Sequence, residues 1–562
     1  MDVLDAFFES YYRLRPVNAT FTGVHEYDGV FPDWSPEGLR AAEAEMNTLR
    51  MRLAAEGAAT LGEDSLAARD WEAIDRALAH AFLEIQLAEQ ESGHFHTGNP
   101  SLAVGEALFG VISLMIRPFA DLEARMERAA KRMLAMPTFL AGVERTWALR
   151  ESRFPAPWSD RALRECEGGR KLLTTGVDRW LSSKGIIPSL ASDVRRSADA
   201  AANALLSFAE RLAARPVRQD QYGVGADFLS LLLKRGHWCA ESLDDLSDRA
   251  NDQLSIELST LDDIARATSL GGWRDIQARL ADLHPEPDEF YGAFGETWRA
   301  CRTLCTKRQV VTWPEDWGLR YVPIPEWTRQ AAPHLYYLYY RSPAPFDRVA
   351  IHDYTVPPIE AVDDEQAEER FLRAWNDSAI KLNHVVHHGA IGHHVQNYYA
   401  YRASTRIGQV AAVDCATRIG MFCGGTMAEG WACYATTVME ELGFLTDFER
   451  VAEQHTRVRL LARAVVDLGL HGGALSLERA TSTFINACGM TAEQAHAEAT
   501  KASMFPGTAS MYWLGLEGLR TLRNAHEHAL GSRFRMRAFH DELLSFGSIP
   551  VPLIAQMMPV PR

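Results

Sequence analysis

Residues 384–394 read His-Val-Val-His-His-Gly-Ala-Ile-Gly-His-His, so five of the chain's nineteen histidines fall in one short segment. A lone histidine is usually a satisfied core or surface residue. Five together, at the end of an amphipathic helix, point to metal ligation, because neutral imidazole is the commonest zinc ligand. Spacing limits which pairs share an ion. His384 and His388 lie one turn apart on one helical face. His387 and His393 would stand roughly 120° apart on an unbroken helix. They converge only if the helix bulges, and Gly389 and Gly392 are the residues that permit it. His387 and His394 share a face but lie about 10 Å apart along the axis.

Downstream, Ala428-Glu429-Gly430-Trp431-Ala432-Cys433-Tyr434-Ala435 opens another helical stripe. A glutamate there reads either as a favourable dipole contact or, beside a histidine cluster, as the carboxylate of a His-His-Glu site.

Helices must carry these groups. Trp71, Ile74, Leu78, Phe82 and Ile85 recur at three- and four-residue steps, and similar stripes run through 119–150, 190–215 and 241–268. Between 308 and 356 the chain turns β-branched and aromatic, in Val310–Trp313, Leu319–Val322, His334–Tyr340 and Val349–His352, which predicts a small antiparallel sheet. Helix resumes on one stripe with Phe371, Trp375, Leu382 and Val386, running into the histidines. The expected fold is mainly α, as one continuous unit over 1–562 with a helical lobe 1–300 and a metal-site lobe 301–562.

The whole chain bounds the function. With 562 residues, 47% apolar and 23% charged, it suits a globular protein with a large core. A net charge of −16 argues against nucleic acid or anionic membrane as partner. The acidic start lacks the basic, apolar pattern of a signal peptide, and no stretch approaches the roughly 20 apolar residues of a span. The eight cysteines form no CxxC pair, as expected of reduced thiols in a cytoplasmic protein.

Several motifs together resemble the bacterial family of domain of unknown function 885, placed with the zincin metallopeptidases. Its pattern His-Glu-x-x-Pro-Gly-His-His-x-Gln is similar to His387 through Gln396, and its Glu-Gly-Trp-Ala-x-Tyr-Ala to Glu429 through Ala435. The likeness continues in Arg463, Asp467, Gly469 and His471, then Pro506, Gly507, Tyr512 and Gly515, then Phe539, His540, Asp541, Leu543, Gly547 and Pro550. Near the start, Arg15 to Thr20 with Thr22-Gly23 also fits. The resemblance implies a zincin-like helical fold with one zinc per chain on His387, His393 and Glu429, and places His471 and Tyr512 near the site as oxyanion stabilisers, although the sequence alone reads Tyr512 as a core tyrosine packing beside Trp513. It also implies an amide or peptide-like small substrate.

The chain departs from the pattern at two positions. His388 stands where the family has its glutamate, and Ile391 where it has proline. That glutamate takes the proton of the attacking water. His388 is thus expected to act as an alternative base, or as a fourth ligand closing the shell. The first case is a zinc-dependent hydrolase with an atypical motif; the second is a catalytically silent metal- or ligand-binding relative.

Overall fold

The computed structural model describes residues 2–182, 188–268, 271–335, 343–347, 349–362, 364–413 and 417–561. The protein is mainly helical, at 71% helix and 3% strand. Its residues fall into two compact units interleaved along the chain. The first takes 1–61, 76–224 and 324–349; the second takes 62–75, 225–323 and 350–562. The expected division at residue 300 is therefore not where the chain changes unit. Among the described residues, no single helix is long and apolar enough to cross a membrane. Seven cysteines are free and buried, and Cys415 lies outside the described residues.

In the first unit, helix Leu122–Leu149 buries Met126, Ala129, Met133, Met136, Leu140, Val143 and Trp147, a repeat of three and four. Helix Pro188–Ala213 answers with Val194, Ala198, Ala201, Leu205, Phe208 and Leu212 in the same rhythm, and the two pack together. Matching steps let the ridges of one seat in the grooves of the other. The most deeply buried of the arginines here is Arg132, which has no exposed surface. Its guanidinium donates to the carbonyls of Tyr27 at 2.8 Å, Gly110 at 2.9 Å and Val30 at 3.1 Å, tying the N-terminal loop to two helices. Two short strands, β1 (Phe154–Pro155) and β2 (Val217–Arg218), pair in parallel.

The second unit holds the histidine segment. Its strands β3 (Gly318–Pro323) and β4 (Ile351–Val356) pair in parallel, with Tyr321 opposite Tyr354. The antiparallel sheet expected near 308–356 is thus corrected. A parallel pair needs a long crossover instead of a tight turn, and residues 324–350 supply it. Val310–Trp313 is not a strand, because side chains meet its backbone groups. His540 Nδ1–H donates to the Val310 carbonyl at 2.7 Å, and Asp541 accepts from the Thr312 N–H at 2.8 Å. The expected strand at His334–Tyr340 begins in a short turn, Ala332–His334, and residues 336–340 lie outside the described residues. The stripe from Phe371 to Val386 is divided between helices. Glu365–Ala374 ends at Trp375, and the Asn376 side chain caps a new start by accepting from the Ala379 N–H at 3.0 Å.

Two helices of this unit, α1 (Gly425–Glu441) and α2 (Ser510–Leu530), pack backbone to backbone. A Cβ on Gly430 would stand 2.5 Å from the Gly515 Cα, so both motif glycines are required by space. Glu429 precedes that contact by one residue, and its position is fixed by the crossing. Gly430→Ala is expected to destabilise the protein by about 1–3 kcal/mol through overpacking. Arg132→Leu, which leaves several buried carbonyls unpaired, is expected to cost about 3 kcal/mol or more. Denaturant midpoints followed by circular dichroism check both; unchanged midpoints would contradict these packing assignments.

Candidate metal centre

The histidines are brought together by a widened helix that then stops. Ile380–Gly389 winds with five-residue hydrogen bonds instead of four, and a new helix begins at His393 and runs to Ala400. Between them the chain turns tightly. The Ala390 N–H bonds the Val385 carbonyl at 2.7 Å, and the Gly392 N–H bonds that of Val386 at 2.9 Å. A Cβ on Gly392 would lie 1.8 Å from the His387 carbonyl oxygen, and one on Gly389 would lie 2.0 Å from the Tyr321 hydroxyl. Both glycines are therefore dictated by close approach. The expected bulge is a break between two helices.

Such a break frees carbonyls, and aromatic side chains satisfy them. Tyr321 donates to the His384 carbonyl at 3.0 Å, Trp298 Nε1 to that of Gly389 at 2.7 Å, and Trp431 Nε1 to that of Ile391 at 2.8 Å. The β3–β4 pair also holds His384, whose Nδ1 lies 2.8 Å from the Tyr354 hydroxyl, while its ring stacks on Trp375 at 4.3 Å.

The rings of His387, His388 and His393 gather with centroids 4.6–5.4 Å apart. Each offers a nitrogen, the three lying within 4.8 Å of one another. Glu429 closes the group. Its Oε2 is 3.3 Å from His393 Nε2 and 3.6 Å from His387 Nε2. Ligands held about 2.0–2.2 Å from a zinc stand about 3.3–3.6 Å from one another in a regular tetrahedron. The observed separations match those edges and are longer than a good N–H···O bond, about 2.7–3.2 Å.

Electrostatics favour the same reading. Burial pushes His387 down, with His393 adding to the effect and Glu429 opposing it. Burial, with His387, His393 and His384 adding to it, holds His388 well below the usual imidazole range. Burial alone would raise Glu429, but His393 and His387 hold its carboxyl well below its ordinary value. Burial that disfavours the protonated forms of His387 and His388 leaves lone pairs beside a carboxylate, which suit a cation. A backbone group orients one of the rings: His388 Nδ1 lies 2.7 Å from the Asn383 carbonyl. A carbonyl only accepts, so His388 Nδ1 carries the proton and Nε2 holds the lone pair. Partners of this kind fix the tautomer of metal-binding histidines. The side chains of His387 and His393 remain 16% and 12% exposed, so the cluster can be reached from solvent.

The other expected site residues have different surroundings. His394 turns to Trp317, donating from Nε2 to its carbonyl at 3.1 Å. His471 is fully buried, donates from Nε2 to the Ala502 carbonyl at 3.0 Å and lies 3.7 Å from Asp467. Asp467 in turn accepts from the N–H groups of Gly507 at 2.9 Å and Ser510 at 3.0 Å. This network seats the Pro506-Gly507 turn. Tyr512 follows on the first turn of α2, half-buried and within electrostatic reach of Arg463. His540 and Asp541, part of the last motif matched in the sequence, pin residues 310–312, and the Tyr434 hydroxyl donates to His540 Nε2 at 2.8 Å.

Sequence reading missed the Asn383 carbonyl, which has no side-chain signature, and the supporting roles of Trp298, Tyr321 and Tyr354. The last two could be found from their matching places in β3 and β4 once the parallel register is known.

Comparison with other proteins gives the same coverage from several directions. A candidate lipoprotein of unknown function from Shewanella oneidensis is 19% identical, with a TM-score of 0.74 over 99% of this chain and 98% of its own. A candidate lipoprotein from Colwellia psychrerythraea is 16% identical, with a TM-score of 0.77 over 99% and 98%. At these identities the likeness is one of fold. No curated protein matched the chain. The family model described as bacterial protein of unknown function matches residues 16–558, nearly the full length, and the chain belongs to that family, DUF885.

Proposed function

We propose that this protein is a zinc-dependent, zincin-like hydrolase of an amide or peptide-like substrate, holding one zinc on His387, His393 and Glu429, with His388 in the place of the usual glutamate base. The observation that carries this reading is the approach of two imidazole Nε2 atoms to one carboxylate oxygen at tetrahedral spacing. Bound there, zinc would supply Lewis acidity toward a carbonyl and lower the pKa of water. The chain's own residues do the rest. His388 offers Nε2 to a water proton, and its Nδ1–H, held by Asn383, steadies the imidazolium that forms. The capped turn keeps the rings in place, so little reorganisation accompanies the reaction.

A second reading rests on the nearness of the His388 nitrogen to those of His387 and His393. If it is a fourth ligand, the shell is closed and the protein is a catalytically silent metal-binding relative.

Protein purified without a tag is expected to carry about one zinc per chain. Alanine at His387, His393 or Glu429 should abolish this while leaving the circular dichroism spectrum unchanged. Zinc retained in all three variants would refute the ligand set.

Activity separates the two readings. On a panel of amide and dipeptide substrates, His388→Ala is expected to lower the wild-type rate by about 100- to 10,000-fold, the usual range for a general base. His388→Glu should raise it, with zinc content determined for each protein. Equal rates in all three would remove His388 from the chemistry. An inactive wild type with a gain in His388→Glu would favour the silent relative.

A further inference from the structure

Helix Asp447–His471 carries a second set of polar groups on one stripe: His455, Arg459, Arg463, Asp467 and His471, each four residues from the next. All but one have a partner. His455 Nε2–H donates to the Cys488 carbonyl at 3.0 Å, Asp467 and His471 hold the turn described above, and Arg463 donates from Nε and Nη2 to Glu498 Oε2 at 2.9 and 2.7 Å. Arg459 makes no hydrogen bond or ion pair among the described residues. Its Nε is closed off from solvent and unsatisfied, although the residue as a whole is only half-buried.

Leaving that nitrogen unpaired is costly, since it loses hydration without compensation, while the Nη groups of the same fork are not closed off. Burial, together with the charge of Arg463 one turn away, lowers Arg459 from its ordinary range. Two guanidinium groups therefore face one carboxylate, Glu498, and that carboxylate is already engaged. The surplus is one positive charge. It suits a monoanion with two oxygens that fits the fork of an arginine; a phosphate dianion would overcompensate it.

We propose that Arg459, backed by Arg463, is a recognition site for the carboxylate of a small organic acid or a peptide C-terminus. The binding of a carboxylate stands on these observations alone. Its use in selecting substrates with a free carboxylate, such as dipeptides or N-acyl amino acids, rests on the hydrolase reading above.

The test is calorimetric titration of the purified protein with hippurate (N-benzoylglycine), with its neutral amide, and with inorganic phosphate. Hippurate should bind, the amide should bind at least about tenfold more weakly, and Arg459→Gln should weaken hippurate by about tenfold or more, the usual loss for a hydrogen bond to a charged group. Arg459→Lys, which keeps the charge, should recover part of that loss. Absence of hippurate binding, equal binding of acid and amide, or an unaffected Arg459→Gln would overturn the site. Phosphate binding tighter than hippurate would overturn its assignment to a carboxylate. The same titration on His387→Ala separates the two proposals: hippurate binding retained there supports the anion site whether or not the metal reading holds, and binding lost there shows that the acid was held by the metal cluster.

Discussion

The turn between His387 and His393 could not exist without donors for the carbonyls it frees. A helix that widens and then stops leaves backbone oxygens unmatched in a largely buried place, and each unmatched oxygen destabilises the fold. Tyr321, Trp298 and Trp431 resolve this from a strand and two helices. The three histidines converge because those aromatic groups make the break tolerable. The second unit is organised around that requirement: the strand pair carries Tyr321 and Tyr354, and α1 carries Trp431 beside Glu429.

From this viewpoint the motifs divide by physical task. Trp431, Gly430, Gly515, Tyr434, His540 and Asp541 are not ligands. They set a helix crossing, cap a carbonyl, or pin an irregular stretch. Asp467 and His471 do similar work around Gly507, whose φ of 72° is one that glycine adopts without strain. A short list of clustered polar groups is thus held by a longer list of scaffolding groups, and both leave clear marks in the sequence.

How much was legible follows from the range of each interaction. The helical stripes could be read because burial of one face repeats every three or four residues, as in Met126 to Trp147. His387, His388, His393 and Glu429 were legible as residue types, and the need for a distortion between His387 and His393 followed from the angle per residue alone. Strand direction was not legible. Tyr321 and Tyr354 stand opposite each other in a parallel register, and local β propensity contains no information about the direction in which the second strand runs. Nor did Val310–Trp313 disclose that His540 and Asp541, over two hundred positions away, would take up its backbone groups. Trp375 and Asn376 misled in the opposite way: an apolar stripe continued through a capping residue, and the cap prevailed.

The crossing of α1 and α2 bears on the order in which the molecule assembles. Synthesis proceeds from the N-terminus, so the histidine segment leaves the ribosome first, Glu429 and Trp431 follow, and Gly515 comes much later. Until α2 arrives, α1 has no backbone surface to seat against, and the carboxylate has no fixed address relative to the imidazoles. The nascent chain thus displays loose histidines long before it possesses a shaped site. Contacts this distant in sequence form slowly, because chain entropy must be surrendered first. The arrangement of the three imidazoles around the carboxylate is accordingly complete only once α2 has been made and has seated against α1.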